Sequence, residues 1–453
     1  MRIFCHVDLT RTTRIVLFLL LSSLLPARAQ APAELDEFGG LRGVRRAATG
    51  YFRTTRAEGR WWLVDPDGFL FCAAGVNSVS LRPPTLPADL STAYREAAFD
   101  KYRSDTAWAK ATADQLRGWG FNTIGPGSDP PLWSAGLAYV VNMKCTGVLK
   151  RVEGQAFPDI FTPAFEDGVR RHAQRVCRPR ASDRWLLGYI TDAPLAWGSG
   201  DEDAESLIAI YLGLADDSPG RRELLNFLER RYLNIAELNA AWHTEYLAFA
   251  EVGRTPQVGS RIPPSDVDAF QRLVAAEYFR VVHDSIRAVD QYHLILGPRF
   301  SDSVPRPVLE AMDEYVNAVS LDCDGPEPPA EALREIHRVT GWPVLVTRFG
   351  PSLEERSPSA PLPGPAEVGE QYESFVKELL DLPMVLGYSW FSYADTRLPD
   401  ARIRGNTVPG LVDLDGDPHP RLVETVARVN GTIYARASGE AGTGGEAGGE
   451  DGE

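Results

Sequence analysis

Short apolar and β-branched runs alternate along this chain with longer stretches whose apolar residues recur every three to four positions. The short runs read as strands at Phe69 to Val76, Asn122 to Ile124, Tyr139 to Asn142, Leu186 to Thr191, Leu294 to Gly297, Ala318 to Leu321, Val344 to Thr347 and Val385 to Ser389. Between them, Phe270, Leu273, Val274, Tyr278, Val281, Val282 and Ile286 keep helical spacing, as do Val368, Tyr372, Phe375, Val376, Leu379 and Leu380. Two further helical patterns, Leu224 to Tyr232 and Ile235 to Trp242, fall in an insertion from about Gly198 to Pro264, after the fourth strand and expected above the barrel mouth. Eight strands alternating with helices define an α/β fold, either a closed barrel or an open sheet. No Gly-x-Gly-x-x-Gly or Walker loop follows any strand, so the closed (β/α)8 TIM barrel with a helical insertion is the expected architecture.

The ends of the chain differ from this pattern. Arg11 and Arg14 precede an apolar run from Ile15 to Leu25, followed by Ala27, Arg28 and Ala29, which is the layout of a cleaved secretory signal. The run is too short to cross a bilayer, so residues 1–29 are expected to be removed, without a transmembrane anchor, and the product to be secreted or periplasmic. Residues 30–48 read as an N-terminal leader, 49–435 as the barrel, and 436–453 as a disordered acidic, Gly-rich tail.

The net charge of −15 argues against nucleic acid as a partner. Past the signal, Cys72, Cys145, Cys177 and Cys323 are scattered, with no Cys-x-x-Cys pair or His cluster, so neither a metal nor another cofactor is expected. Three disulfide pairings and four buried thiols all remain open.

In a barrel, chemistry belongs to residues just past the strands. Those positions hold Asn77, Asp192, Asp322, Asp324, Arg348, Trp390, Phe391, Tyr393 and Asp395. Aromatic rings beside carboxylates and amides suit sugars, whose C–H faces stack while their hydroxyls hydrogen-bond. Asn77, Asp192, Arg348, Trp390, Tyr393 and Asp395 are accordingly the expected contacts to an oligo- or polysaccharide, with Trp390 lining the mouth. His283 and His337 fall on helices away from it and read as ordinary histidines.

The stretch Gly59-Arg60-Trp61-Trp62-Leu63-Val64-Asp65-Pro66-Asp67-Gly68, then Gly75-Val76-Asn77-Ser78-Val79, resembles the first strand of β-agarase-like and β-galactosidase-like hydrolases of the retaining clan A. Trp119-Gly120-Phe121-Asn122-Thr123, Leu187-Gly188-Tyr189, Leu238-Asn239-Ala240-Ala241-Trp242 and Gly387-Tyr388-Ser389-Trp390-Phe391 are similar to the same group, in the same order. The resemblance implies an acid/base Glu after the fourth strand and a nucleophilic Glu ending the seventh. Here the first place reads Gly188-Tyr189-Ile190-Thr191-Asp192-Ala193-Pro194, and the second Val346-Thr347-Arg348-Phe349. Proline has no titratable group, and Arg stays cationic, opposing an oxocarbenium-like transition state.

Three functions follow. The first is a catalytically impaired glycosidase that binds a saccharide without cutting it. The second is an active β-glycosidase with relocated carboxylates, Asp192 and Asp322 foremost, with Asp324 and Asp395 as further candidates. The third is a non-catalytic envelope scaffold in which Arg348 is the ion-pair partner of Asp322 or Asp192.

Overall fold

The computed structural model describes residues 34–149, 157–198, 206–254, 262–301, 304–351, 362–397 and 407–438. The expected signal at 1–29, most of the expected tail and parts of the expected insertion lie outside the described residues. From Leu35 onward the described chain forms one compact unit.

Its centre is a parallel sheet whose strands follow one another in space as in sequence: Ala73–Val76, Thr123–Ile124, Ala138–Asn142, Leu186–Ile190, Leu294–Ile295, Arg299–Phe300, Val319–Asp322, Val344–Phe349 and Val385–Trp390. The last strand pairs with the first, Trp390 opposite Val76. The segment from Leu294 to Phe300 closes the ring, because its front half pairs with the fourth strand and its back half with the strand at Val319. Pro298 interrupts that segment, which is why one expected strand is seen as two short ones. The expected α/β barrel is therefore the observed one.

Inward-facing Ala73, Val140, Leu187, Leu296, Ala318, Leu345 and Leu386 form one cluster with Phe38, Phe52, Leu63 and Phe71. Leu63 and Phe71 belong to a part of the fold that the alternation did not predict, a four-stranded antiparallel sheet of Leu41–Arg45, Arg53–Ala57, Arg60–Val64 and Phe69–Phe71, and Phe38 and Phe52 lie in the segments that lead into its strands. Its apolar side plugs the amino-terminal end of the barrel. The run Phe69 to Val76 thus serves two sheets, with Cys72 between them. The stretch read as a leader contributes Leu41–Arg45, paired with Phe69–Phe71.

The helices follow their start signals. Ser104, Thr162, Ser206, Ser218 and Asn234 each accept a backbone N–H at a helix start. Pro163, Pro219 and Pro264 sit in the first turn, where a missing N–H costs nothing. Helices Leu207–Leu212, Pro219–Arg231 and Ile235–Trp242 follow the fourth strand and pack on Pro264–Arg287, with Tyr211 and Phe227 meeting Phe270 at ring-centroid distances of 5.3 and 5.4 Å. Buried Asp266 ties this layer together by accepting from Trp242 Nε1 at 2.7 Å and from Tyr232. The last helix among the described residues, Ile433–Ala437, lies where the tail was expected to begin, and Arg436 pairs there with Asp381.

All four described cysteines are buried thiols rather than disulfides, which selects among the alternatives left open by the sequence. No helix among the described residues is long and apolar enough to cross a membrane.

Candidate functional site

A bulge at the end of the seventh strand shapes the carboxyl-end mouth. Leu321 lies opposite Val346, but Asp322 lies opposite Arg348, so Thr347 is an extra residue on that strand. Such a residue breaks the in-out alternation and re-aims the side chains after it. Phe349 faces the helices, where its ring meets Phe375 at 4.5 Å, and Arg348 is left at the mouth.

Arg348 pairs with Asp324, Nη2 to Oδ1, at 2.7 Å. Its guanidinium also lies 4.9 Å from the centre of the Phe391 ring. These three residues, with Gly350, Pro351, Ser392, Thr396, Val408 and Pro409, line a partly open cleft of about 230 Å³. Ser392 Oγ is committed to the carbonyl of Ala394 at 2.6 Å and to Thr396 Oγ1 at 3.0 Å. The cleft therefore offers a cation, a carboxylate and an aromatic ring side by side.

Beside it lies a second Arg–Asp pair. Arg299 Nε reaches both oxygens of buried Asp322, at 3.0 and 3.1 Å, and Nη2 binds one of them as well. Thr347 Oγ1 donates to Asp322 Oδ1 at 2.9 Å. The ion pair expected between Arg348 and Asp322 or Asp192 is therefore corrected to Arg348 with Asp324 and Arg299 with Asp322. The buried carboxylate takes the arginine of the neighbouring fifth strand, which reaches it through two nitrogens.

Asp192 is nearly sealed from solvent. It accepts from Tyr278 Oη at 2.7 Å, from Thr146 N at 3.0 and 3.2 Å, and from Thr146 Oγ1 at 2.8 Å. Burial pushes its carboxyl up to about 6 against the opposing pull of these donors. Asp395 is likewise satisfied, by Gly410 N and His419 Nε2, each at 2.9 Å. Asn77 donates from Nδ2 to the Thr347 carbonyl at 2.8 Å, and its buried Oδ1 has no partner.

The structure brings Arg348, Asp324 and Phe391 together and places the other expected contacts elsewhere. Trp390 is 1% exposed and packs edge-on against Phe349 and Tyr372, both at 5.2 Å. It faces the helix layer because Tyr388 and Trp390 share the outer side of the strand. Tyr393 is buried with Tyr94 and Trp108 under the first helices. Asn77, Asp192 and Asp395 are interior residues. His283 and His337 are surface and loop partners, of Asp284 and of the Trp342 carbonyl. Among the described residues no cluster of His, Cys, Asp and Glu is arranged to hold a metal ion. Arg299, Thr146 and Tyr278 were missed in the sequence. The one signal for Arg299 is chemical, since a buried Asp322 requires a cation close by.

No protein-family model matches the chain. It is similar to β-agarase B of Vibrio sp. (strain JT0107), 23% identical over 494 residues, spanning 90% of this chain and 51% of the relative. β-Agarase A of the same strain is 24% identical over 451 residues, spanning 83% of this chain and 45% of the relative. The chain thus spans about half the length of these curated relatives. Among solved structures, an exo-β-agarase superposes with a TM-score of 0.78 at 22% identity, over 96% of this chain and 71% of that one. The fold is that of the agarase barrels.

Proposed function

We propose that this protein is a secreted saccharide-binding relative of the β-agarases that does not hydrolyse β-glycosides. The observation that carries the reading is the pair of Arg–Asp contacts at the ends of strands five to seven. Retaining hydrolysis needs two carboxyl groups about 5 to 5.5 Å apart, one to protonate and one to attack. At the place where the resemblance puts the nucleophile, Arg348 presents a cation. Pro194 stands, without a proton to give, at the place implied for the acid.

Relocation has little support. Asp322 is held by Arg299, Asp324 by Arg348, Asp395 by His419, and Asp192 by Thr146 and Tyr278. Asp192 has an elevated carboxyl suited to a general acid, yet it is 3% exposed and has no candidate nucleophile among these partners.

The open cleft suits an uncharged sugar. Phe391 offers a ring for a C–H face, and the Arg348–Asp324 pair offers donors and an acceptor for adjacent hydroxyls. The similarity to agarases suggests galactan oligosaccharides first. A glycan array probed with the protein and with its Arg348→Ala and Phe391→Ala variants tests this. Binding to β-galactan fragments that both variants lose is the expected result, and no binding to any glycan would favour the scaffold reading instead.

A further inference from the structure

At the plugged end of the barrel, Asp36 opens the turn before the first antiparallel strand. Its Oδ1 accepts the backbone N–H groups of Phe38, Gly39 and Gly40 at 3.0, 2.9 and 2.7 Å. Asp65, fully buried after strand Arg60–Val64, uses its own Oδ1 in the same way, accepting from Asp67 N and Phe69 N at 2.9 Å each. In both residues the other oxygen, Oδ2, is buried and meets no donor. The two lie close, because a Cβ placed on Gly40 would fall 2.0 Å from Asp65 Oδ2, so the Asp36 turn rests directly on that oxygen.

An ionised carboxylate only accepts, and two of them in contact out of water cannot both stay ionised. We propose that Asp36 and Asp65 share a single proton, and that the resulting carboxyl–carboxylate hydrogen bond clamps the amino-terminal segment onto the sheet that plugs the barrel.

The groups around the pair leave this proton without a substitute. From the last helix, Tyr434 Oη donates to the Gly39 carbonyl at 2.5 Å and accepts from Cys72 N at 3.3 Å. Asn122 packs beside Gly39. The nearby cations serve other partners: Arg184 meets Asp67 and Glu37, and Arg45 donates to the Asp67 carbonyl. Burial first, then the Asp36 charge, hold the Asp65 carboxyl up to about 7 against its N–H donors. A carboxyl raised in the folded state stabilises the fold fully below its unfolded value near 4. That contribution is lost as pH climbs to about 7 and stays flat above.

The test is thermal melting of the full chain from pH 4 to pH 9, for the parent, Asp36→Asn, Asp65→Asn and the double variant, with calcium or EDTA added in parallel. In either single variant the amide Oδ1 keeps the backbone bonds, and Nδ2 donates permanently where the proton sat. Both singles are expected to melt at or above the parent at pH 8, and each to lose about one proton's worth of its decline between pH 4 and pH 7. The double variant sets two N–H groups against each other and is expected to melt below both singles, or not to fold while both singles do. Calcium and EDTA are expected to change nothing. Singles that melt well below the parent at pH 8, a double variant equal to the singles, or stabilisation by calcium that EDTA removes would overturn the shared proton, the last in favour of a bound cation.

Discussion

Asp322 and Asp324 stand two residues apart at one barrel rim and take arginines from opposite neighbouring strands, Arg299 from the fifth and Arg348 from the seventh. The side chains of the first pair are 15% and 2% exposed, those of the second 36% and 46%. Chemically alike, the pairs differ in solvation, and that difference sets what each contributes.

Asp322→Asn is expected to destabilise the fold by about 3 kcal/mol, because it leaves the Arg299 charge partly buried without its counter-ion. Asp324→Asn is expected to cost under about 1 kcal/mol, since water screens a half-exposed pair. Urea unfolding of both variants gives the comparison, and equal losses would mean that burial does not separate the pairs.

The aromatic residues after the eighth strand separate in the same way. Trp390→Ala is expected to cost about 3 to 5 kcal/mol of stability, as a large ring removed from the core. Phe391→Ala is expected to leave melting nearly unchanged and to weaken saccharide binding by about 1 to 2 kcal/mol. Calorimetric titration beside thermal melting reads both effects, and a Phe391→Ala protein that melts like the Trp390→Ala one would place Phe391 in the core.

His419 fixes the loop after strand eight through Asp395, which raises its imidazole above the ordinary value of 6.5 despite opposing desolvation. A histidine raised on folding contributes stability that is complete below its unfolded value and lost as pH rises through the folded one. Parent minus His419→Gln stability should therefore be greatest below about pH 6 and shrink as pH climbs past 6.5. A difference that is flat across that range would mean that folding leaves the imidazole's hold on its proton unchanged.

Period and spacing made the barrel legible, since each parallel strand announces itself as a short apolar run between helical patterns. The antiparallel plug was not legible, because Arg53–Ala57 reads as polar and Phe69 to Val76 reads as one strand although it serves two sheets. At the site, position relative to a strand end located Arg348 and Asp324 but could not say which way a side chain points. Trp390 faces the helices by strand alternation, whereas Arg348 reaches the mouth through a bulge that leaves no mark in composition. Partner choice was equally hidden, because Arg299 reaches Asp322, 23 residues on, through pairing of consecutive strands whose register the sequence does not print.

The most direct measurement is release of reducing ends from a galactan oligosaccharide shown by calorimetry to bind, using the parent, Arg348→Glu and Asp192→Asn. Binding without release by the parent is expected, and Arg348→Glu is expected to stay inactive because Pro194 still supplies no proton to the leaving oxygen. Steady release by the parent that disappears in Asp192→Asn would contradict the loss of hydrolysis and make Asp192 a working acid.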